Sequence, residues 1–189
     1  GMQVMINFHY SDSWADPAKQ VKPKAWVNLS FIELKKALYD YTFDVMTALK
    51  NAGIQPEWVQ VGNEITPGLL LPEGNADTNF SQLVELLNQG YDAVKAVSPN
   101  SKVILHVDQG NNNKRFRWWF DNAEKHKARY DIIGMSYYPY WLEGSPDYTL
   151  SIDSLGRNLN DMVSRYGKEV MVVEVGGEDG QDSRLTAEQ

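Results

Sequence analysis

Trp58-Val59-Gln60-Val61-Gly62-Asn63-Glu64 decides the fold. A short β-branched run stops at a glycine and ends on a carboxylate. Much later, Val170-Met171-Val172-Val173-Glu174 does the same without the glycine. Both runs are too short for helices and are rich in the residues that favour strands. Helical periodicity fills the sequence around them. Ser30 with Glu33 has the spacing of a capping box, and Phe31, Leu34, Leu38, Val45 and Leu49 then recur at helical spacing up to Gly53. A second helix is predicted over Phe80–Val97, a short one near Phe116–His126, and a fourth over Ser151–Tyr166, closed by Gly167. Further strands are predicted near Gln3–His9, Lys102–Val107 and Asp131–Ser136.

The resulting order is βαβαβαβαβ. Strands that alternate with helices pair in parallel, and apolar runs such as Val103-Ile104-Leu105 fit strands covered on both faces. The 189 residues suit a single domain spanning 1–189. No boundary, linker or repeat beyond the alternation is visible, and the tail from Gly176 to Gln189 carries no pattern. The net charge of −7 argues against nucleic-acid or anionic-membrane partners, and no apolar run is long enough to span a membrane. Cysteine is absent, which excludes disulfides and thiolate metal sites. The three His have no zinc-like spacing, so no metal and no cofactor are assigned. Gly1-Met2 leads straight into a predicted strand, with no signal peptide read there.

Parallel α/β barrels place their chemistry at the C-terminal ends of the strands. Two carboxylates at two such ends are what cleavage of a glycosidic bond requires. One acid protonates the leaving oxygen, and one base or nucleophile acts on the other side of the sugar. A lone Glu64 would read as a surface residue. Its pairing with Glu174, a carboxylate inside an apolar run that would be costly away from a rim, favours a site. His9 and Asp12 end the first strand, and His106 and Asp108 end the third. All four border the same expected cleft, as does Asn63. Tyr137-Tyr138-Pro139-Tyr140-Trp141 follows the fourth strand, where some rings pack the mouth and at least one is expected to face sugar. Tyr138, Trp141 and, less centrally, Trp14 and Trp26 are the candidates. Asn28-Leu29-Ser30 and Asn79-Phe80-Ser81 match a glycosylation pattern, but both open helices, where capping is the simpler explanation.

Phe8-His9-Tyr10-Ser11-Asp12-Ser13-Trp14-Ala15-Asp16-Pro17, followed by Gln20, Pro23 and Trp26, resembles the signature region of glycoside hydrolase family 53, the arabinogalactan endo-β-1,4-galactanases. Val61–Glu64 resembles that family's acid/base segment, Ser136–Trp141 its sixth-strand segment, and Val173-Glu174 its nucleophile segment. The resemblance implies a (β/α)8 barrel and a retaining endo-acting enzyme on the galactan of type I arabinogalactan and pectin. Glu64 would be the acid/base, with the higher pKa, and Glu174 the nucleophile. Asn63 would hold the sugar 2-hydroxyl, and Tyr138 would orient Glu174. Such enzymes are exported, to the medium or the periplasm.

Counted against that barrel, the sequence covers strands three to seven. Strands one, two and eight are expected to be missing. The open edges and uncovered inner face should then expose about half of Val4, Ile6, Val59, Val61, Ile104, Ile133 and Val172, so the chain is expected either to pair with another copy or to be one piece of a longer protein. Two other readings compete: another barrel endo-glycosidase, or an inactive truncated barrel that only binds carbohydrate.

Overall fold

The computed structural model describes residues 2–177. Five longer strands are β1 (Met5–Phe8), β2 (Trp58–Val61), β5 (Lys102–Val107), β6 (Ile132–Tyr137) and β7 (Glu169–Val175). They form a parallel sheet in the order β1-β2-β5-β6-β7. A two-stranded antiparallel pair, β3 (Gly68–Leu69) and β4 (Gly74–Asn75), sits in the loop after β2. Strands of two residues are too short for an alternation, so this pair was not expected. Helices α1 (Phe31–Asn51), α2 (Phe80–Val97), α3 (Asn113–Lys125) and α4 (Tyr148–Tyr166) connect the sheet strands.

Local chemistry sets the helix ends. Glu33 N–H donates to Ser30 Oγ, and Ser30 N–H donates to Glu33 Oε2 at 2.8 Å, completing the expected capping box. Gly53 follows α1 with φ +75°, the left-handed turn that releases the chain. Helix α3 begins three residues before its predicted start, because Asn112 Oδ1 caps Arg115 N–H at 3.1 Å. Helix α4 also starts early, on Asp147, whose Oδ1 accepts from Thr149 N–H at 2.9 Å. Asn79 stands at the α2 cap position but makes no side-chain capping bond, so capping does not account for that residue.

The register divides the sheet into two faces, since laterally paired residues of parallel strands point the same way. Val59, Val61, Val103, Leu105, Val107, Ile133 and Met135 face the helices and are fully buried. Helix α2 lies so close to β2 that a Cβ on Gly90 would come 2.5 Å from Val61 Cγ1. The other face carries Asn7, Gln60, Ile104, His106, Gly134, Ser136 and Glu174. Its aliphatic residues were expected to meet water. Instead Ile104 is 0% and Ile132 1% exposed; of the seven aliphatic residues named for exposure, Val59, Val61, Ile104 and Ile133 are fully buried and Val4, Ile6 and Val172 are half-buried. The reason lies in packing at Gly134, where a Cβ would meet Ile104 Cγ2 at 2.6 Å. The Ile104 side chain leans into the space that the missing side chain leaves. Among the described strands of this sheet, β1 and β7 form the edges.

One irregularity in the sheet matters for the site. Met135 pairs with Val172, but Ser136 pairs with Glu174, so Val173 is an extra residue in β7. This bulge brings Glu174 beside Ser136. An unbroken register would set Val173 there.

Candidate active site

The C-terminal ends of β2, β5, β6 and β7, with the loop after β1, enclose a cavity of about 580 Å³. Its wall includes Asp16, Glu64, Asp108, Ser136, Tyr138, Trp141 and Glu174. A second hollow of about 500 Å³ shares Pro17 and Asp108 with it and is lined further by Arg115 and Trp118, so the groove extends beyond the two glutamates.

Glu64 reaches the cavity through a constrained turn. Gly62 has φ +85°, and a Cβ there would lie 2.5 Å from Ile65 Cγ2. Glu64 itself is left-handed at φ +47°, a conformation that costs a non-glycine residue energy and persists only where neighbours hold it. They do so from β5: Glu64 N–H donates to His106 Nδ1 at 3.3 Å, and Ile65 N–H donates to the His106 carbonyl at 2.8 Å. Glu64 Oε1 accepts the Ser136 hydroxyl at 2.6 Å. Burial pushes its pKa up to about 7, against the pull of the Ser136 bond, and the negative charges of Glu174, Asp108 and Asp16 push the same way.

Glu174 accepts the Tyr138 hydroxyl on Oε2 at 2.9 Å. Burial, and then the Glu174 carboxylate itself, push the Tyr138 pKa up to about 12, so the phenol keeps its proton and remains a donor. Asp108 accepts from Thr66 Oγ1 and lies 3.4 Å from Arg115, while burial raises its pKa.

The predicted residues therefore separate into two sets. Glu64, Asp108, Tyr138, Trp141 and Glu174 share the cavity wall. His9, Asn63 and His106, also expected there, are not part of this wall. Asn63 is 4% exposed, its Oδ1 accepting from Asn7 at 2.8 Å and its Nδ2 donating to the Ala15 carbonyl at 2.8 Å. His9 Nδ1 accepts Ala15 N–H at 2.7 Å. Together with Gln20, which donates to the Asn63 carbonyl at 2.8 Å, they anchor the turn that sets Asp16 and Pro17 in the wall. His106 is fully buried beneath the floor. Asp12 is turned away, accepting Lys24 N–H at 2.9 Å on the exposed loop. Trp14, 65% exposed, lies off the wall with Lys19 Nζ 4.7 Å from its ring centre. Sequence reading gave no site role to Asp16 or Ser136, although both stood in the quoted motifs.

Among the described residues, no group of three or more His, Asp or Glu could hold a metal ion. No helix among them is long and apolar enough to cross a membrane.

Known proteins resemble this chain in sequence and fold. The model of the family described as Glycosyl hydrolase family 53 matches residues 1–188. An arabinogalactan endo-beta-1,4-galactanase from Humicola insolens is 41% identical over 92% of this chain and 52% of its own length. An endo-beta-1,4-galactanase from Bacillus subtilis is 38% identical over 99% of this chain and 42% of its own. The solved GH53 catalytic domain of Ignisphaera aggregans superposes with a TM-score of 0.87 at 37% identity, covering 97% of this chain and 48% of that one. An endo-1,4-beta-xylanase from Caldicellulosiruptor owensensis, at 15% identity and a TM-score of 0.64, shares the fold alone. The chain spans about half the length of the family relatives it matches, and its five-stranded sheet corresponds to part of their (β/α)8 barrel. A family match from end to end, carried by strands that bring Glu64 and Glu174 to one cavity, shows that this chain belongs to glycosyl hydrolase family 53.

Proposed function

We propose that this chain carries the catalytic carboxylates of a retaining endo-β-1,4-galactanase, with Glu64 as general acid/base and Glu174 as nucleophile. The observation behind this reading is the presence of both carboxyls in one cavity under different control. Burial and negative neighbours keep a proton on Glu64 up to about pH 7. Tyr138 holds Oε2 of Glu174, which orients Oε1 for attack. In the first step Glu64 gives its proton to the glycosidic oxygen while Glu174 bonds to the anomeric carbon. In the second, Glu64 takes a proton from the water that displaces Glu174. Trp141, 65% exposed on the wall, offers a flat face for a sugar ring. The extended groove suits a polymer. The galactan preference rests on the relatives' names. A plant cell-wall polymer is met outside the cell, so export belongs to the same reading. The edges at β1 and β7 would take the remaining barrel strands rather than a second copy.

The test is release of reducing ends from β-1,4-galactan, with xylan as the comparison. Galactan cleavage that falls about 10²–10⁴-fold in Glu64→Gln supports the reading. Galactan binding without cleavage would favour a carbohydrate-binding fragment, and preference for xylan would favour another endo-glycosidase.

A further inference from the structure

We propose that His106 is a positioning residue that commits the Ser136 hydroxyl proton to Glu64; its catalytic meaning rests on the acid/base reading of Glu64, but the hydrogen-bond relay does not.

His106 is fully buried at the end of β5, between β2 and β6, and no step of the proposed reaction uses it. Its Nδ1 receives the backbone N–H of Glu64 at 3.3 Å and lies 3.0 Å from Gln60 Nε2. Asn63 Oδ1 also lies 3.3 Å from Nδ1, but it already accepts from Asn7 at 2.8 Å and from Gln60 at 3.2 Å. A backbone N–H can only donate, so the Glu64 contact favours a lone pair on Nδ1 and the ring proton on Nε2. Nε2 is 2.7 Å from Ser136 Oγ, and in this tautomer it donates. The serine oxygen is thereby occupied as an acceptor, and its own proton turns to Glu64 Oε1, 2.6 Å away. A protonated imidazole would set a second N–H against that of Glu64. Burial, with His9 nearby, pushes the His106 pKa down to about 3, so the ring stays neutral wherever the enzyme works.

The direction of the relay has a consequence. Ser136 has two carboxylates within its surroundings: Glu64, which it bonds, and Glu174, its lateral partner across β6 and β7. A freely rotating hydroxyl could turn its proton away from Glu64. Glu64 faces Glu174 from β7, Asp108 from beyond β5 and Asp16 from the loop after β1, all of which raise its pKa. Arg115 is engaged with Asp108 and Glu143. The Ser136 bond is the opposing influence, so His106 controls how far Glu64 rises by fixing that bond.

The experiment follows the 13Cδ resonance of Glu64 against pH in the full chain and reads the His106 tautomer from long-range 1H–15N correlations. Neither readout requires turnover. The wild type should show Nε2–H throughout about pH 5–8. Ser136→Ala should raise the Glu64 midpoint by about one pH unit, equivalent to about 1.4 kcal/mol. His106→Leu should raise it in the same direction. His106→Gln, whose amide N–H can take the place of Nε2–H, should keep the wild-type midpoint. Adding His106→Leu to Ser136→Ala should move it no further, because the two residues act through one bond. An Nδ1–H tautomer, a wild-type midpoint in His106→Leu, or an extra rise in the double variant would overturn the proposal. Should His106→Leu fail to fold, the glutamine variant decides: a midpoint matching Ser136→Ala refutes the relay. Unimpaired hydrolysis by Glu64→Gln would sink the catalytic reading while leaving these outcomes to judge the relay separately.

Discussion

Replacing Glu64 by Gln should stabilise the protein above neutral pH and leave its stability unchanged in acid. The carboxyl's pKa rises from 4.5 to about 7 on folding, chiefly through burial. The folded state therefore binds this proton more tightly than the unfolded chain does. The resulting stabilisation is fully present below 4.5 and is lost as pH climbs through about 7, beyond which the buried charge is a constant burden. At about 1.4 kcal/mol for each pKa unit, a sealed site would give about 3 kcal/mol. The cavity is open and Glu64 is only partly covered, so solvent screening brings this to about 1–2 kcal/mol. Glutamine keeps the carbonyl that accepts from Ser136 and removes the charge. Urea unfolding of both proteins at about pH 4 and about pH 8 measures the difference directly, with other titrating groups common to the two. The variant should match the wild type at the lower pH and exceed it by about 1–2 kcal/mol at the higher. An equal gain at both, or a loss at the higher pH, would refute the argument. If Glu64 is the acid/base proposed, this is where stability and activity should trade against each other.

Three further outcomes follow from the same geometry. Tyr138→Phe removes the 2.9 Å bond to Glu174; a hydrogen bond to a charged group is worth about 1.5–3 kcal/mol, so kcat/KM should fall about 10–100-fold with the unfolding midpoint nearly unchanged. Gly134→Ala sets a Cβ 2.6 Å from Ile104 Cγ2 and 3.4 Å from Val173 in the bulge; it should cost about 1–3 kcal/mol in denaturant unfolding and disturb Glu174 as well. Trp141→Ala should weaken galacto-oligosaccharide binding in calorimetry without changing the unfolding midpoint, since the ring is 65% exposed; unchanged affinity would assign it to packing.

Much of the fold was legible because it is local chemistry. A short run such as Trp58–Val61, with a carboxylate at Glu64 just beyond it, marks a strand at a rim, and the Ser30–Glu33 box marks a helix start. Both glutamates could be found this way. The parts that escaped notice depend on three dimensions. Asn63 and His9 sit beside Glu64 and Phe8 in sequence, yet their side chains are spent on Ala15, on another loop segment. Nothing in the run Ile132–Tyr137 announces that Ser136 will bond Glu64 beyond β2, since that contact depends on strand order. The bulge at Val173 is equally hidden, because it is a mismatch between two strands and not a property of either. Ile104 is buried with its side chain leaning over Gly134 of the neighbouring strand. An open-sheet argument based on strand count could not anticipate it.

The proposed roles of the two glutamates are tested most directly by an attempt to trap a covalent glycosyl intermediate. A galacto-oligosaccharide activated at C1 and bearing fluorine at C2 should inactivate this chain carried in a full-length family barrel. Peptide mass spectrometry should then find the sugar on the carboxylate of Glu174, the residue that β7 and its bulge set beside Ser136. Label on Glu64, label elsewhere, or turnover with inversion and no label would contradict the assignment.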